Sequence, residues 1–231
     1  MPKPLKPDAL MLFAAGFGTR MGALTADRPK PLIPVSGRAL IDRALDLVTA
    51  ADVSKTVVNL HYRGDMIRQH LAGRNITFAE EPDILETGGG LKAALPLLGP
   101  DPVLTLNSDA VWKGPNPIEM LHAAWDPDQM DGLMMLIPQA QALGYKGQGD
   151  FHTAANGQLT RGAGAIYGGV QIIKTTGLQT ISENAFSLNL LWDQMLSKGR
   201  LIGLHYPGTW CDVGNPDGLK LAEDLIGTKD V

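Results

Sequence analysis

Residues 12–37 read LFAAGFGTRMGALTADRPKPLIPVSG and complete an apolar run, Leu10–Ala14, that predicts a β-strand. The strand leads into a loop of small residues, Ala15–Thr19. Such loops leave backbone N–H groups free to face an anion, and glycine lets a phosphate approach closely. Three cations follow the loop and add positive charge, the last of them between two prolines: Arg20, Arg28 and Lys30. The stretch therefore predicts a strand and loop that bind a phosphate-rich ligand.

Two common phosphate-binding motifs do not fit this loop. A P-loop requires G-x-x-x-x-G-K-[ST], and no such run begins at Gly16. A dinucleotide fingerprint requires G-x-G-x-x-G, whereas Gly22 lies one position too late. An NAD-dependent dehydrogenase is disfavoured by this spacing and by the arginines and lysine of the loop.

Composition predicts a single domain over residues 1–231, with residues 1–8 as a flexible lead-in. The 231 residues are 44% hydrophobic, enough for one substantial core. The net charge of −4 disfavours a nucleic-acid-binding protein, so the positive field for a phosphate ligand must be local. Cys211 is the single cysteine, so no disulfide within the chain is possible and a reducing compartment is expected. With no transmembrane-length apolar run or signal-peptide core, we expect a cytoplasmic protein without membrane association.

Short apolar strands alternate with helical patterns, which predicts an α/β fold with a largely parallel central sheet. Ligands of such sheets bind at the carboxyl ends of the strands. The segment 139–164 is rich in Gly, Gln and Ala and predicts a surface excursion or hairpin that lines an acceptor pocket. Strands are predicted at 10–14, 56–60, 76–79, 103–106, 132–137, 165–173 and 201–206, and helices at 39–50, 65–71, 89–96, 118–125, 186–196 and 216–226, the last capped by Asn215.

Two aspartates form a candidate Mg²⁺ site. Asp109 follows the apolar run before Asn107, and Asp212 lies in the run GTWCDVG, residues 208–214. Mg²⁺ favours one or two carboxylates and completes its shell with water and substrate phosphates. The run Glu86–Gly90 is a further candidate, since three glycines at a helix start lower stability and suit a close ligand. The segment Asn59–Tyr62 also follows a strand and could approach the acceptor or a base.

The pattern AAG-x-G-T-R-M, followed by PKP-[LM], resembles the signature of sugar-1-phosphate nucleotidyltransferases. The N-x-D motif at 107–109 and the W-x-D-[VI]-G motif at 210–214 resemble the metal pattern of the same family. The resemblance implies a three-layer α/β/α sandwich of the GT-A-like type, with a Rossmann-like, mostly parallel (mixed) sheet. It implies Mg²⁺ held by Asp109 and Asp212, and a nucleotide held by Ala14, Ala15, Gly16, Gly18, Thr19, Arg20, Lys30, Glu86, Thr87, Gly88 and Asn107.

The implied reaction needs no side-chain nucleophile, because a sugar 1-phosphate oxygen is already largely anionic. It attacks the α-phosphorus of a nucleoside triphosphate in line, and pyrophosphate leaves. Lys30 would act on the α-phosphate, while Arg20 and the backbone of Gly16–Thr19 would hold the leaving phosphates. Lys30 and Arg20 are thus the implied catalytic residues.

Within this family, the chain is most similar to the short bacterial enzymes that act on N-acetylmuramic acid 1-phosphate, the uridylyltransferases of cell-wall recycling. This resemblance rests on residues 81–99, 149–151 and 205–214, and it implies a monomer or weak homo-oligomer with UTP as donor. Ser108 departs from the Gly that the family often has. A lactyl carboxylate on the acceptor would require a cation, for which the candidates are Lys146, Arg161 and Lys174.

Two alternatives remain open. The acceptor could be mannose-, glucose- or heptose-1-phosphate or a phosphorylated alcohol, with another nucleobase on the donor. The second alternative is a catalytically silent, nucleotide-binding regulatory subunit of the same fold. Retention of Asp109, Asp212, Arg20 and Lys30 favours the enzyme.

Overall fold

A computed structural model describes residues 6–227 and contains fourteen strands and six α-helices in that range. The strands are β1 (Ala9–Phe13), β2 (Pro34–Val35), β3 (Arg38–Ala39), β4 (Lys55–Leu60), β5 (Thr77–Glu80), β6 (Val103–Asn107), β7 (Ala110–Lys113), β8 (Gly132–Ile137), β9 (Ala142–Leu143), β10 (Phe151–Thr153), β11 (Leu159–Arg161), β12 (Ile166–Ile173), β13 (Leu201–His205) and β14 (Thr209–Asp212). The helices are α1 (Leu40–Ala50), α2 (Gly64–His70), α3 (Glu86–Leu98), α4 (Pro117–Ala124), α5 (Asn189–Ser197) and α6 (Pro216–Gly227).

Seven of these strands form the central sheet, in the order β13-β8-β12-β6-β1-β4-β5. Neighbouring strands are parallel except where β12 pairs antiparallel with β6 and β8. The carboxyl ends of β1, β4, β5 and β6 therefore meet at one edge, together with the start of β12. The mixed, mostly parallel sheet confirms the predicted fold class.

The two faces of the sheet are buried by different helices, because successive residues of a strand point to opposite faces. Leu10 and Leu12 of β1 pack in one core with residues of α1, α2 and α4. Met11 packs in a second core with residues of α3 and α5. Burial of each such side chain stabilises the fold by about 1.5–3 kcal/mol. The result is the predicted α/β/α sandwich.

A smaller sheet, β7-β14-β9, brings the two halves of the candidate metal site together. In the antiparallel pair of β14 and β7, Asp212 lies opposite Ala110, the neighbour of Asp109. The backbone N–H of Val213 donates to the Asp109 carbonyl over 3.0 Å. Helix α6 covers this sheet, and the Asn215 side chain accepts from the Gly218 N–H as the predicted cap.

Two helices differ from the expected bounds by more than one residue. Helix α3 begins at Glu86 and continues through Pro96 to Leu98, because a proline in the last turn removes only one backbone hydrogen bond. Helix α5 begins at Asn189 instead of at residue 186. Phe186 is held in a loop by hydrogen bonds of its backbone to α3, so it cannot join the helix. Strands β7 and β14 were not expected from the sequence.

Most of the predicted flexible lead-in, residues 1–8, lies outside the described residues. Of its last three residues, Pro7 is buried and accepts a hydrogen bond from His122, and the carboxylate of Asp8 accepts two from Ser54. Within the described range, no helix has both the length and the apolar character needed to span a membrane.

Candidate active site

A cavity of about 310 Å³ opens at the edge where β1, β4 and β6 end. This volume lies at the lower end of the range of ligand pockets, roughly 300–1,000 Å³. Its wall includes Phe13, Ala14, Ala15, Gly16, Gly18, Thr19, Arg20, Lys30, Pro31, Asn59, Ile84, Glu86, Thr87, Asn107, Ser108, Asp109 and Gly214. Ten of the eleven predicted nucleotide-binding residues are among them; the exception is Gly88.

The loop after β1 is shaped by the contact between Gly18 and Lys30. Gly18 has a φ of +65°, a left-handed conformation that glycine adopts freely. A Cβ at this position would lie 2.9 Å from Cβ of Lys30, so only glycine fits. The Thr25 hydroxyl also donates to the Gly18 carbonyl. The loop and the lysine are thereby packed into one rigid unit.

Lys30 is buried in the wall of the cavity, with 8% of its surface exposed. A short 3-10 turn, Lys30–Leu32, with prolines on both sides of the lysine, holds its backbone. Its Nζ donates to Oδ2 of Asp109 over 2.8 Å. The structure thus joins the predicted catalytic cation directly to a predicted metal ligand.

Asp212 lies beside this pair. Burial and the negative charge of Asp109 raise the pKa of the Asp212 carboxyl, while Lys30 and Arg20 oppose the rise. Gly214 separates Asp212 from Arg20: a Cβ on this glycine would lie 2.9 Å from Asp212 Oδ2 and 3.2 Å from Arg20 Nη1. Arg20, Lys30 and Asp109 line the cavity, and Asp212 lies next to them just outside the lining residues, so two carboxylates and two cations meet at one corner.

This corner fits a divalent cation. Two adjacent carboxylates that disfavour each other's charge are stabilised by a cation between them, and a pair of carboxylates is the donor set that Mg²⁺ favours. In the range 6–227 no group of three or more His, Cys, Asp or Glu side chains comes together to form a metal cage. A site of two carboxylates leaves coordination positions open for substrate oxygens.

The opposite wall of the cavity is the start of α3. Glu86 has a φ of +58°, uncommon for a residue with a side chain. The Thr87 hydroxyl accepts a hydrogen bond from the Leu188 N–H, which ties this helix start to the segment before α5. Glu86 thus places an exposed carboxylate at the rim, opposite the cations of the β1 loop.

Gly88 serves a different purpose from the one predicted. It is buried, and its N–H donates to the Phe186 carbonyl over 2.8 Å. A Cβ on Gly88 would lie 2.4 Å from the Phe186 ring, and one on Gly89 would lie 2.2 Å from the Asn184 carbonyl oxygen. The glycines let the 184–186 loop pack onto α3, and the Gly88 N–H is engaged by Phe186.

Several predicted cations are not among the residues that line the cavity. Arg28 pairs with its neighbour Asp27 in solvent. Lys174 follows the end of β12, at the sheet edge opposite the cavity, and pairs with Asp131. Lys146 pairs with Asp217, and Arg161 pairs with Asp193 and lies over the Phe151 and Trp192 rings.

The 139–164 excursion approaches the cavity from the side of Asp212. It contains β9 and the β10–β11 hairpin, as predicted, and Gly144 packs against the Asp212 backbone. Burial, and to a lesser extent the charges of Asp150 and Asp212, raise the pKa of the Tyr145 phenol. None of the residues that line the cavity belongs to the excursion, so its described contact with the site is the packing of Gly144 against Asp212.

The roles of two other residues near the cavity could not be predicted from the sequence. Ser108, viewed only as a departure from glycine, donates its hydroxyl to the Phe13 carbonyl over 2.6 Å and so ties the ends of β6 and β1 together. Glu81, buried next to the start of α3, belongs to the 81–99 segment that carries the family resemblance, but nothing in the sequence indicates a role for its side chain.

Comparison with known proteins agrees with this geometry. Residues 10–148 match the family described as the MobA-like NTP transferase domain. The chain is 40% identical to an N-acetylmuramate alpha-1-phosphate uridylyltransferase of Caulobacter vibrioides, over 94% of this chain and 96% of the relative. It is 30% identical to a Neisseria meningitidis protein of the same name, over 94% and 97%. A putative glucose-1-phosphate thymidylyltransferase structure from Bacillus anthracis shares the fold, with a TM-score of 0.80 at 15% identity over 96% of each chain.

Proposed function

This chain belongs to the MobA-like NTP transferase family, and we propose that it transfers uridine monophosphate from UTP to N-acetylmuramate α-1-phosphate. The observation that carries the proposal is the ion pair of Lys30 and Asp109 inside the cavity, beside Asp212 and Arg20. The membership confirms the nucleotidyltransferase resemblance of the sequence. The substrates are proposed from the two relatives that this chain matches over nearly its full length.

In the proposed reaction, an oxygen of the sugar 1-phosphate attacks the α-phosphorus of UTP. A new P–O bond forms between the sugar phosphate and the α-phosphorus. The bond from the α-phosphorus to the oxygen that bridges it to the β-phosphorus breaks, and pyrophosphate leaves with the electron pair. No general base is needed, since the second pKa of a phosphate monoester is about 6. The protein's task is to align two anions and neutralise their charge.

Each cation has a place in this scheme. Lys30, buried in the wall of the cavity, binds the α-phosphate, where charge increases in the transition state. Arg20 and the backbone N–H groups of Gly16–Thr19 hold the β- and γ-phosphates. The ribose and base then extend toward Glu86 and Thr87 on the opposite wall.

Asp109 and Asp212 would hold Mg²⁺ in the corner that they share. When bound, the ion supplies positive charge to the phosphate oxygens. Lys30, which already contacts Asp109, keeps that carboxylate in place.

We place the sugar 1-phosphate between the metal corner and the 139–164 excursion. On this side we propose that Tyr145 and Asp150 contact the sugar, the Asp150 carboxylate also accepting a hydrogen bond from the Tyr167 N–H. Lys174 lies at the far edge of the sheet and is unsuited to the lactyl carboxylate.

The test is pyrophosphate release with Mg²⁺, using UTP, GTP, CTP, ATP and dTTP, each against N-acetylmuramate, mannose, glucose and heptose 1-phosphates. We expect release with UTP and N-acetylmuramate 1-phosphate, and none when either is omitted. Release with another pair would reassign the substrates. Tight binding of a triphosphate without release for any pair would favour a silent binding module.

A further inference from the structure

A buried chain of hydrogen bonds connects the two walls of the cavity. The Ala14 N–H donates to Oδ1 of Asn59 over 2.7 Å, and Nδ2 of Asn59 donates to Oε1 of Glu81 over 2.7 Å. Oε2 of Glu81 accepts from the Leu85 N–H over 3.2 Å. The backbone donor of Ala14 fixes the orientation of the Asn59 amide, because only its oxygen can accept.

The two ends of this hydrogen-bond relay are the segments that would bind a nucleoside triphosphate. Ala14 begins the loop after β1, which carries the backbone N–H groups for the phosphates. Leu85 directly precedes Glu86 and Thr87 on the opposite wall. Asn59 lies near the end of β4 and Glu81 follows β5, so this hydrogen-bond relay crosses the edge of the sheet.

Within the part of the chain that the structure describes, Glu81 is a buried carboxylate that is not paired with a cation. It is 4% exposed and Asn59 is 3% exposed, and within residues 6–227 no cation lies within ion-pair distance of the Glu81 carboxylate. A buried carboxylate without a cation is costly unless its oxygens are hydrogen-bonded. Gly90 provides the room, since a Cβ there would lie 2.6 Å from Oε1 of Glu81. The fold therefore fixes the carboxylate in one position.

We propose that Asn59 and Glu81 are positioning residues that set the distance between the phosphate loop and the start of α3, and thereby determine triphosphate affinity. Both oxygens of Glu81 and the Asn59 amide are engaged within the relay, so they act through Ala14 and Leu85. The proposal rests on the proposed function to the extent that a triphosphate occupies this cavity.

Two single substitutions break the relay, and together they rebuild it. Asn59→Asp places two carboxylates against each other, and Glu81→Gln directs an amide N–H group at the Leu85 or Asn59 donor. In the double variant, the new carboxylate at position 59 accepts from the Ala14 N–H and from the new amide at position 81, while the oxygen of that amide accepts from the Leu85 N–H. The double variant has the same donors at both ends and the same net charge as the wild-type protein.

We expect each single variant to weaken Mg–UTP binding about tenfold, measured by calorimetry, because a buried polar group loses its partner. In turnover assays, KM for UTP should rise by the same factor, while KM for the sugar 1-phosphate stays within about twofold of wild type. The double variant should recover affinity to within about threefold. Asp42→Asn is the matched control: Asp42 is also a buried carboxylate, but it binds His70 and Arg74 away from the cavity.

The proposal is overturned if the single variants lower the melting temperature but bind Mg–UTP within about twofold of wild type, as we expect for Asp42→Asn. It is also overturned if the double variant binds Mg–UTP no better than Glu81→Gln. If Asn59→Asp does not fold, this comparison alone tests the proposal. The proposed transfer can fail separately, because the relay is measured by binding. If UTP does not bind, the triphosphate that binds best in the panel replaces it, and a protein that binds none contradicts both proposals.

Discussion

Lys30 and Asp109 are 79 residues apart in the chain, and their side chains meet over 2.8 Å in the wall of the cavity. The contact joins the turn that follows the β1 loop to the end of β6. It is partly shielded from water, with side-chain exposures of 11% and 35%. The cation proposed for the α-phosphate and the carboxylate proposed for Mg²⁺ are thus held together by a single interaction.

Replacement of Lys30 by alanine should lower kcat about 100-fold while KM for UTP changes far less. The lysine is proposed to act where charge increases in the transition state, and loss of such a donor has an effect of this size. Steady-state kinetics provide the measurement. Lys174→Ala is the matched control, since Lys174 also pairs with a carboxylate but lies at the opposite edge of the sheet. A rise in KM alone would make Lys30 a ground-state contact.

Asp109→Asn and Asp212→Asn should each reduce kcat below about one hundredth of the wild-type value, because each removes a proposed metal ligand. Removing the charge of Asp212 should not lower the stability of the protein. The pKa of Asp212 is raised in the folded protein, so its ionised form opposes folding at neutral pH, and a neutral amide removes this cost. Asp212→Asn should therefore melt at the wild-type temperature or above, as measured by calorimetry. Near-normal kcat in either variant would refute the metal assignment.

The phosphate loop and the order of the elements could be predicted from the sequence, because glycine spacing and apolar runs are local signals. The ion pair of Lys30 with Asp109 could not, since it depends on the packing of Gly18 against Lys30 and on the pairing of β14 with β7. The packing of Gly88 against Phe186 could not be predicted for the same reason. A glycine that admits a ligand and one that admits Phe186 look alike in the sequence.

Gly88→Ala should destabilise the fold by about 1–3 kcal/mol, because the added Cβ would lie 2.4 Å from the Phe186 ring and 2.8 Å from its carbonyl oxygen. Urea unfolding monitored by circular dichroism gives the free energy. Gly227→Ala is the control, since a Cβ there meets nothing within 4 Å. An alanine variant of Gly88 with wild-type stability and impaired nucleotide binding would instead return this glycine to the ligand site.

Glu86→Gly should stabilise the protein by about 1 kcal/mol, because glycine adopts the observed φ of +58° without steric cost. The same substitution should raise KM for UTP, since it removes the side chain that lines this wall. Thermal unfolding and steady-state kinetics on one preparation provide both values. A variant that is less stable than wild type would show that the Glu86 side chain supports the fold instead.

The most direct test of the account is mass spectrometry of the products formed from UTP, Mg²⁺ and N-acetylmuramate α-1-phosphate by the wild-type protein and by Asp109→Asn. We expect the wild-type protein to form UDP-N-acetylmuramate and pyrophosphate in equal amounts, and the variant, folded, to form neither. UTP that is recovered intact with the wild-type protein, or a uridylylated product that Asp109→Asn forms equally well, would contradict the central claim.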